Sequence, residues 1–351
     1  MSTTEPTPAR PAFPSFRPPA RRVLGGGGEE PVREELPGPG QTLPLVIRPT
    51  VAGLDPLAWA RANRERVEAR LQQHGALLFR GFSLGSADEF HAFVEAVVGE
   101  LMEYRERSSP RHEEGNRVYT STDHPADQRI FAHNEHSYAM RFPLKLFFFC
   151  LEPAQEGGQT PVADTRRVFE RVDPAVRARF AEKGWMYVRN FGDGFGLPWQ
   201  TVFQTSDRAE VEAYCAANAI ECEWKPGNRL RTRQVRPAAA VHPRTGERTW
   251  FNHATFFHVS TLPDEMRRGL LADFAEEDLP NHTYYGDGSP IEPETVEALR
   301  EAYRAETVMF DWERGDVLLV DNMLASHARE PFRGPRRVLV AMADPYLRQD
   351  L

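Results

Sequence analysis

Apolar positions recur at helical spacing in the first hundred residues and at strand spacing through most of the remaining chain. Residues 1–43 are rich in Pro, Gly and Arg, with Gly25-Gly-Gly-Gly28 and Pro37-Gly-Pro-Gly40. They offer little to bury and predict a disordered arm, with one ordered domain over 44–351. Asp55-Pro56 opens a helix that Gly75 closes, Pro at its first position and Gly just past its end. Ala76-Leu-Leu-Phe-Arg80 reads as a short buried strand. Ser86-x-x-Glu89 forms a capping box ahead of Phe90, Phe93, Val94, Val97 and Leu101 on one helical face.

The period then shortens. Val118-Tyr-Thr120, Leu146-Phe-Phe-Phe-Cys150, Trp185-Met-Tyr-Val188, Val317-Leu-Leu-Val320 and Arg337-Val-Leu-Val-Ala341 read as strands. Between them, Asp173-Pro174 starts a helix carrying Val176 and Phe180. Asp207-x-x-Glu210 caps another with Val211, Tyr214 and Cys215. Two more fit Met266/Leu270/Phe274 and Val296/Leu299/Tyr303. No repeat appears. Strands at both ends with helices inserted predict a mainly β fold with flanking helices, one sandwich or jelly roll and not two domains.

Composition narrows the classes. A formal charge of -8 and a pI near 5.8 argue against a nucleic-acid groove. Cys150, Cys215 and Cys222 have no paired spacing, which supports neither a disulfide framework nor a zinc knuckle. No apolar run reaches membrane-span length and the N-terminus has no apolar signal core, which predicts a soluble, cytoplasmic protein.

The chemistry centres on Phe131-Ala-His-Asn-Glu-His-Ser-Tyr138. On a continuing strand His133 and Glu135 would share a face. With a distant histidine they would make the two-histidine, one-carboxylate set of non-haem Fe(II) oxygenases. His327 qualifies, just past the strand expected from Gly315 to Asn322, although a histidine there can equally pack or cap. Arg336 opens the last strand and could grip a carboxylate bidentately. In Glu156-Gly-Gly-Gln-Thr-Pro-Val-Ala-Asp164, two glycines permit close backbone approach and Thr160 offers a hydroxyl; a plain hairpin turn explains the segment as well.

His133-Asn-Glu135, Gly157-Gly-Gln-Thr-Pro-Val-Ala-Asp164 and His327 followed by Pro331-Phe-Arg-Gly-Pro-Arg336 resemble, in this order, the taurine-dioxygenase family of Fe(II)/2-oxoglutarate-dependent oxygenases. The likeness runs from about residue 44 to 346, supported by Leu78-Phe-Arg-Gly-Phe82, Tyr119-Thr-Ser-Thr122, His242-Pro-Arg-Thr-Gly-Glu247 and Phe251-Asn252. Within the family the syringomycin-type amino-acid hydroxylases are the most similar group. The resemblance implies a double-stranded β-helix of the clavaminate synthase type. It implies that His133, Glu135 and His327 bind Fe(2+), and that Thr160 with Arg336 or Arg337 binds 2-oxoglutarate. The commoner family triad has Asp where this chain has Glu135. An arginine that the taurine enzymes carry further along the last strand is replaced here by Val340-Ala341.

The implied reaction consumes 2-oxoglutarate and O2, releases succinate and CO2, and hydroxylates an unactivated C–H bond. Desaturation, epoxidation and cyclisation stay open, whereas halogenation would need the carboxylate position that Glu135 fills. The implied substrate is a small polar amino acid or related carboxylate, free or on a carrier protein, in specialised-metabolite biosynthesis. A taurine- or sulfonate-type dioxygenase and a non-catalytic small-molecule-binding jelly roll are the alternatives; zinc hydrolysis in the same triad would leave Thr160 and Arg336 without a role. Residues 190–260 read as a lid insert. In it Arg231 and Arg233 would share a strand face able to meet a substrate carboxylate or a carrier's phosphate, or simply a solvated edge. Asn252 and His253 are further pocket candidates.

Overall fold

Strand Arg141–Glu152 is buried along nearly its whole length, because Leu144, Leu146 and Phe148 fill one face while Phe147 and Phe149 fill the other. A strand apolar on both faces belongs in the middle of a sheet. It lies there in the computed structural model, between Val317–Asp321 and Arg337–Leu347 in an eight-stranded sheet. The structure describes residues 30–102, 113–115, 117–122, 124–192, 194 and 196–348.

The two faces of this sheet have different partners. Phe79, Phe147, Phe149, Leu319 and Leu339 pack with Trp59, Phe90 and Phe93 from helices Pro56–Ala62 and Ala87–Val98. Leu146, Phe148, Leu318, Val320 and Val340 turn the other way and pack with Val162 and Ala325. These last two come from a four-stranded sheet ordered Thr307–Val308, Val162–Asp164, Ala325–Arg329, Ile130–His133. Two facing sheets make a double-stranded β-helix with flanking helices, the fold class that the sequence implied. A separate sheet of Glu221–Lys225, Arg229–Arg236, Trp185–Phe191 and Asn281–Tyr285 carries helices Trp199–Phe203 and Arg208–Ala217 over its own apolar cluster. Among the described residues no helix is long and apolar enough to cross a membrane.

Three expectations need correction. Order begins before residue 44: Val32–Glu35 pairs with Leu45–Pro49, with Val32 and Leu43 buried and Glu34 bridged to Arg66 and Arg70. The apolar anchors here are single residues spaced among Pro and Gly, which composition averages away. Residues 1–29 of the expected arm lie outside the described residues. The helix from Asp55 to Gly75 is two helices, Pro56–Ala62 and Arg64–His74, since Asn63 folds its Nδ2 back onto Trp59 O and caps the first. The supposed lid over 190–260 is mostly this separate sheet with its two helices. Of that range Gly196, His253, Phe256, Phe257 and His258 line the cavity, whose wall continues through residues 261–281.

Candidate active site

His133 closes strand Ile130–His133, and the chain then turns. Glu135 therefore stands in a turn and not on a continuing strand, so face alternation is not what aligns it with His133. The buried Asn322 does this. Its Oδ1 accepts the Glu135 N–H at 2.7 Å, and its Nδ2 donates to Glu135 O and Pro143 O, both at 2.8 Å. Asn134 Nδ2 returns a bond to Asn322 O at 2.7 Å. His327 is also placed differently from expectation: it lies within strand Ala325–Arg329, directly opposite His133 in the ladder.

One ligand atom from each of His133, Glu135 and His327 lies within 4.8 Å of the others. His133 Nδ1 is 2.9 Å from Phe131 O, which fixes its proton there and leaves Nε2 as the lone pair. Phe148 and Phe256 flank His327 and His133, with centroids 4.9 Å and 4.6 Å away. Two imidazole nitrogens and a carboxylate oxygen converging from one side suit a six-coordinate divalent ion with its other positions open.

Those positions would face a cavity of about 640 Å³ that also holds Ser121, Thr160, Arg336 and His253. Arg336 Nε donates to Gly158 O at 2.9 Å, and its Nη2 and Nη1 approach Thr160 Oγ1 at 3.4 Å and Ser121 Oγ at 3.5 Å. Trp312 Nε1 donates to Thr160 Oγ1 at 3.1 Å. The guanidinium lies over Gly158, where a Cβ would come within 2.9 Å of Arg336 Cδ, and φ there is +71°. Burial, reinforced by nearby Arg329, lowers Arg336 to about 10. It is a desolvated cation without a carboxylate partner among the described residues. Arg337 is exposed and not part of the cavity wall.

The remaining candidates divide. His253 lines the cavity, its Nδ1 2.5 Å from Ser137 Oγ, and burial keeps it neutral. Asn252 is engaged by the backbone, donating to Ala238 O at 2.7 Å and accepting from Ala254 N–H at 2.9 Å. Arg231 is buried against Asn190, Glu277 O and Asp278, and Arg233 pairs with Glu221 and Glu223. None of these last three reaches the cavity. Sequence reasoning missed Trp312, Arg329, the Phe256-Phe257 doublet and His258. Only Arg329 left a usable signal, by standing two positions beyond His327.

The family model for the taurine catabolism dioxygenase TauD, TfdA family, matches residues 37–342. The chain belongs to this family. It is a non-haem Fe(II)- and 2-oxoglutarate-dependent dioxygenase, with O2 as the second co-substrate. It is 40% identical over 310 residues to the dapdiamide synthesis protein DdaC of Enterobacter agglomerans, covering 85% of this chain and 94% of that one. A clavaminate synthase-like protein of Arabidopsis thaliana is 30% identical over 90% of this chain and 97% of its own. Among solved structures, PvcB of Pseudomonas aeruginosa shares the fold, with a TM-score of 0.53 at 17% identity over 90% of this chain and 92% of that one.

Proposed function

We propose that this dioxygenase hydroxylates a small polar amino acid or related carboxylate, free or carrier-tethered, in specialised-metabolite biosynthesis, as the syringomycin-type hydroxylases do. His133, Glu135 and His327 hold the Fe(II), and Arg336 with Thr160 holds the distal carboxylate of 2-oxoglutarate. The observation that carries the site assignment is the convergence of these side chains beside a part-buried guanidinium that has no carboxylate partner among the described residues. The substrate reading is supported by the likeness to DdaC, whose name places that relative in dapdiamide synthesis.

Bound Fe(II), with 2-oxoglutarate and O2, supplies an oxidant able to attack a C–H bond while 2-oxoglutarate becomes succinate and CO2. The protein's part is placement. Arg336 and Thr160 fix the co-substrate, Trp312 orients the Thr160 hydroxyl, and Phe148, Phe256 and Phe257 keep water from the reacting face. His253, held by Ser137, presents a neutral ring to the substrate.

The test is a panel of amino acids, free and carrier-loaded, with Fe(II) and 2-oxoglutarate. A product about 16 mass units heavier, one added oxygen, supports the reading. Turnover of taurine or another sulfonate with no amino acid accepted in either form would replace it with the sulfonate alternative.

A further inference from the structure

Arg329 follows His327 by two residues and lines the same cavity, yet it is only 5% exposed. Its Nη1 donates to His124 O at 2.8 Å, and its Nη2 to Pro125 O and Gln128 O, both at 2.5 Å. Among the described residues its Nε is buried without a partner. Every acceptor is a neutral carbonyl. No carboxylate forms an ion pair with Arg329 among the described residues, and Asp127, on the exposed segment, acts only at longer range. Phe332 lies between the two cavity cations, its centroid 5.4 Å from the Arg329 Cζ and 5.5 Å from the Arg336 Cζ.

The other charges of the cavity wall are matched. Arg129 pairs with Glu330 at 2.7 Å and Asp264 with Arg267 at 3.0 Å. When Fe(II) and doubly charged 2-oxoglutarate bind, Glu135 brings that group to one net negative charge, and Arg336 cancels it. Arg329 then remains as a buried cation with no counter-charge opposite it among the described residues. Such a charge is costly unless a counter-charge arrives.

We propose that Arg329 recognises an anion in the substrate subsite, so that the substrate carries a free carboxylate that docks against its guanidinium. This rests on the proposed function and narrows it. A thioester to a carrier consumes the α-carboxylate, so a tethered substrate would have to offer a side-chain carboxylate, whereas a free amino acid offers either.

The experiment measures binding without turnover, by anaerobic calorimetry on protein loaded with Fe(II) and 2-oxoglutarate. The probes are free amino acids against their α-carboxamides, and aspartate against asparagine. Wild-type protein prefers the acid, and Arg329→Gln loses that preference by about 30-fold, the factor equivalent to roughly 2 kcal/mol. Arg329→Lys restores part of it, and 2-oxoglutarate affinity is unchanged in both variants. If Arg329→Gln instead lowers the melting temperature and weakens acid and amide equally, Arg329 only clamps residues 124–128 and the proposal is overturned. If no panel member binds, the substrate class has failed, and acetate decides the subsite. Binding of acetate to loaded wild type but not to Arg329→Gln supports it; equal binding overturns it.

Discussion

His133 and His327 stand opposite each other on paired antiparallel strands, their ring centroids 4.3 Å apart. Ladder hydrogen bonds fix the two backbones, so neither imidazole needs ordering when a metal arrives. The third proposed ligand, Glu135, comes from a turn that Asn322 holds through three hydrogen bonds. Two of the proposed ligands are thus held by the sheet and one by a side-chain lock.

Removing any one of the three proposed ligands should abolish metal binding without unfolding the protein. His327→Ala, His133→Ala and Glu135→Ala are each expected to lower turnover by more than about 100-fold. Metal content after dialysis and far-UV circular dichroism check this together. Near-normal iron and activity in His327→Ala would remove His327 from the ligand set.

Arg336 and Arg337 are neighbours with opposite surroundings, one walling the cavity beside Thr160 and the other exposed. Loss of a desolvated charged contact typically costs about 2–5 kcal/mol. Arg336→Ala should therefore raise the 2-oxoglutarate requirement by a factor of tens or more, and Arg337→Ala should leave it nearly unchanged. Initial rates against 2-oxoglutarate concentration decide the ranking, and the reverse order would give the anchor to Arg337.

Breaking the lock on Glu135 separates geometry from ligation. Asn322→Ala removes one acceptor and two donor bonds at a site with no exposure. Each buried group left unpaired costs about 1–3 kcal/mol. Thermal stability should fall, and Fe(II) affinity should fall by roughly 10–100-fold although all three ligands remain. Unchanged affinity in a destabilised variant would show that the turn holds its shape without Asn322.

These contrasts mark what the sequence can carry. Strand and helix positions were legible where burial is one-sided or continuous, as at Leu146–Cys150 and Phe90–Val97, because side-chain period reports the face directly. The three residues that the structure brings together as a candidate metal site were legible as chemical types, yet the reason they meet was not. Glu135 is aligned by an asparagine almost two hundred positions away, and no local pattern encodes that contact. Arg231 and Arg233 show the reverse failure. Their alternation is real, but partners distant in sequence, such as Asp278 for Arg231, take up the charge that looked available. An arginine's role depends on whether an acid reaches it first, and that is a tertiary fact.

The last prediction concerns acid. His258 sits at the cavity wall against His282, with ring centroids 4.6 Å apart, and its Nδ1 accepts the Ser260 N–H at 3.2 Å. Burial, with His282 and Arg300 nearby, lowers it to about 3. His282 is also lowered by burial, partly offset by Glu276. The folded value of His258 lies below its unfolded one, so between about pH 6.5 and 3 the unfolded chain holds a proton that the fold excludes. Its contribution to stability is fully present above pH 6.5 and declines as pH falls through this window, by up to about 1.4 kcal/mol per pH unit. His258→Asn keeps an acceptor for Ser260 but cannot titrate. Melting temperatures from pH 7 to pH 4 should fall less steeply for this variant than for the wild type. Parallel curves would assign the acid sensitivity to carboxylates elsewhere.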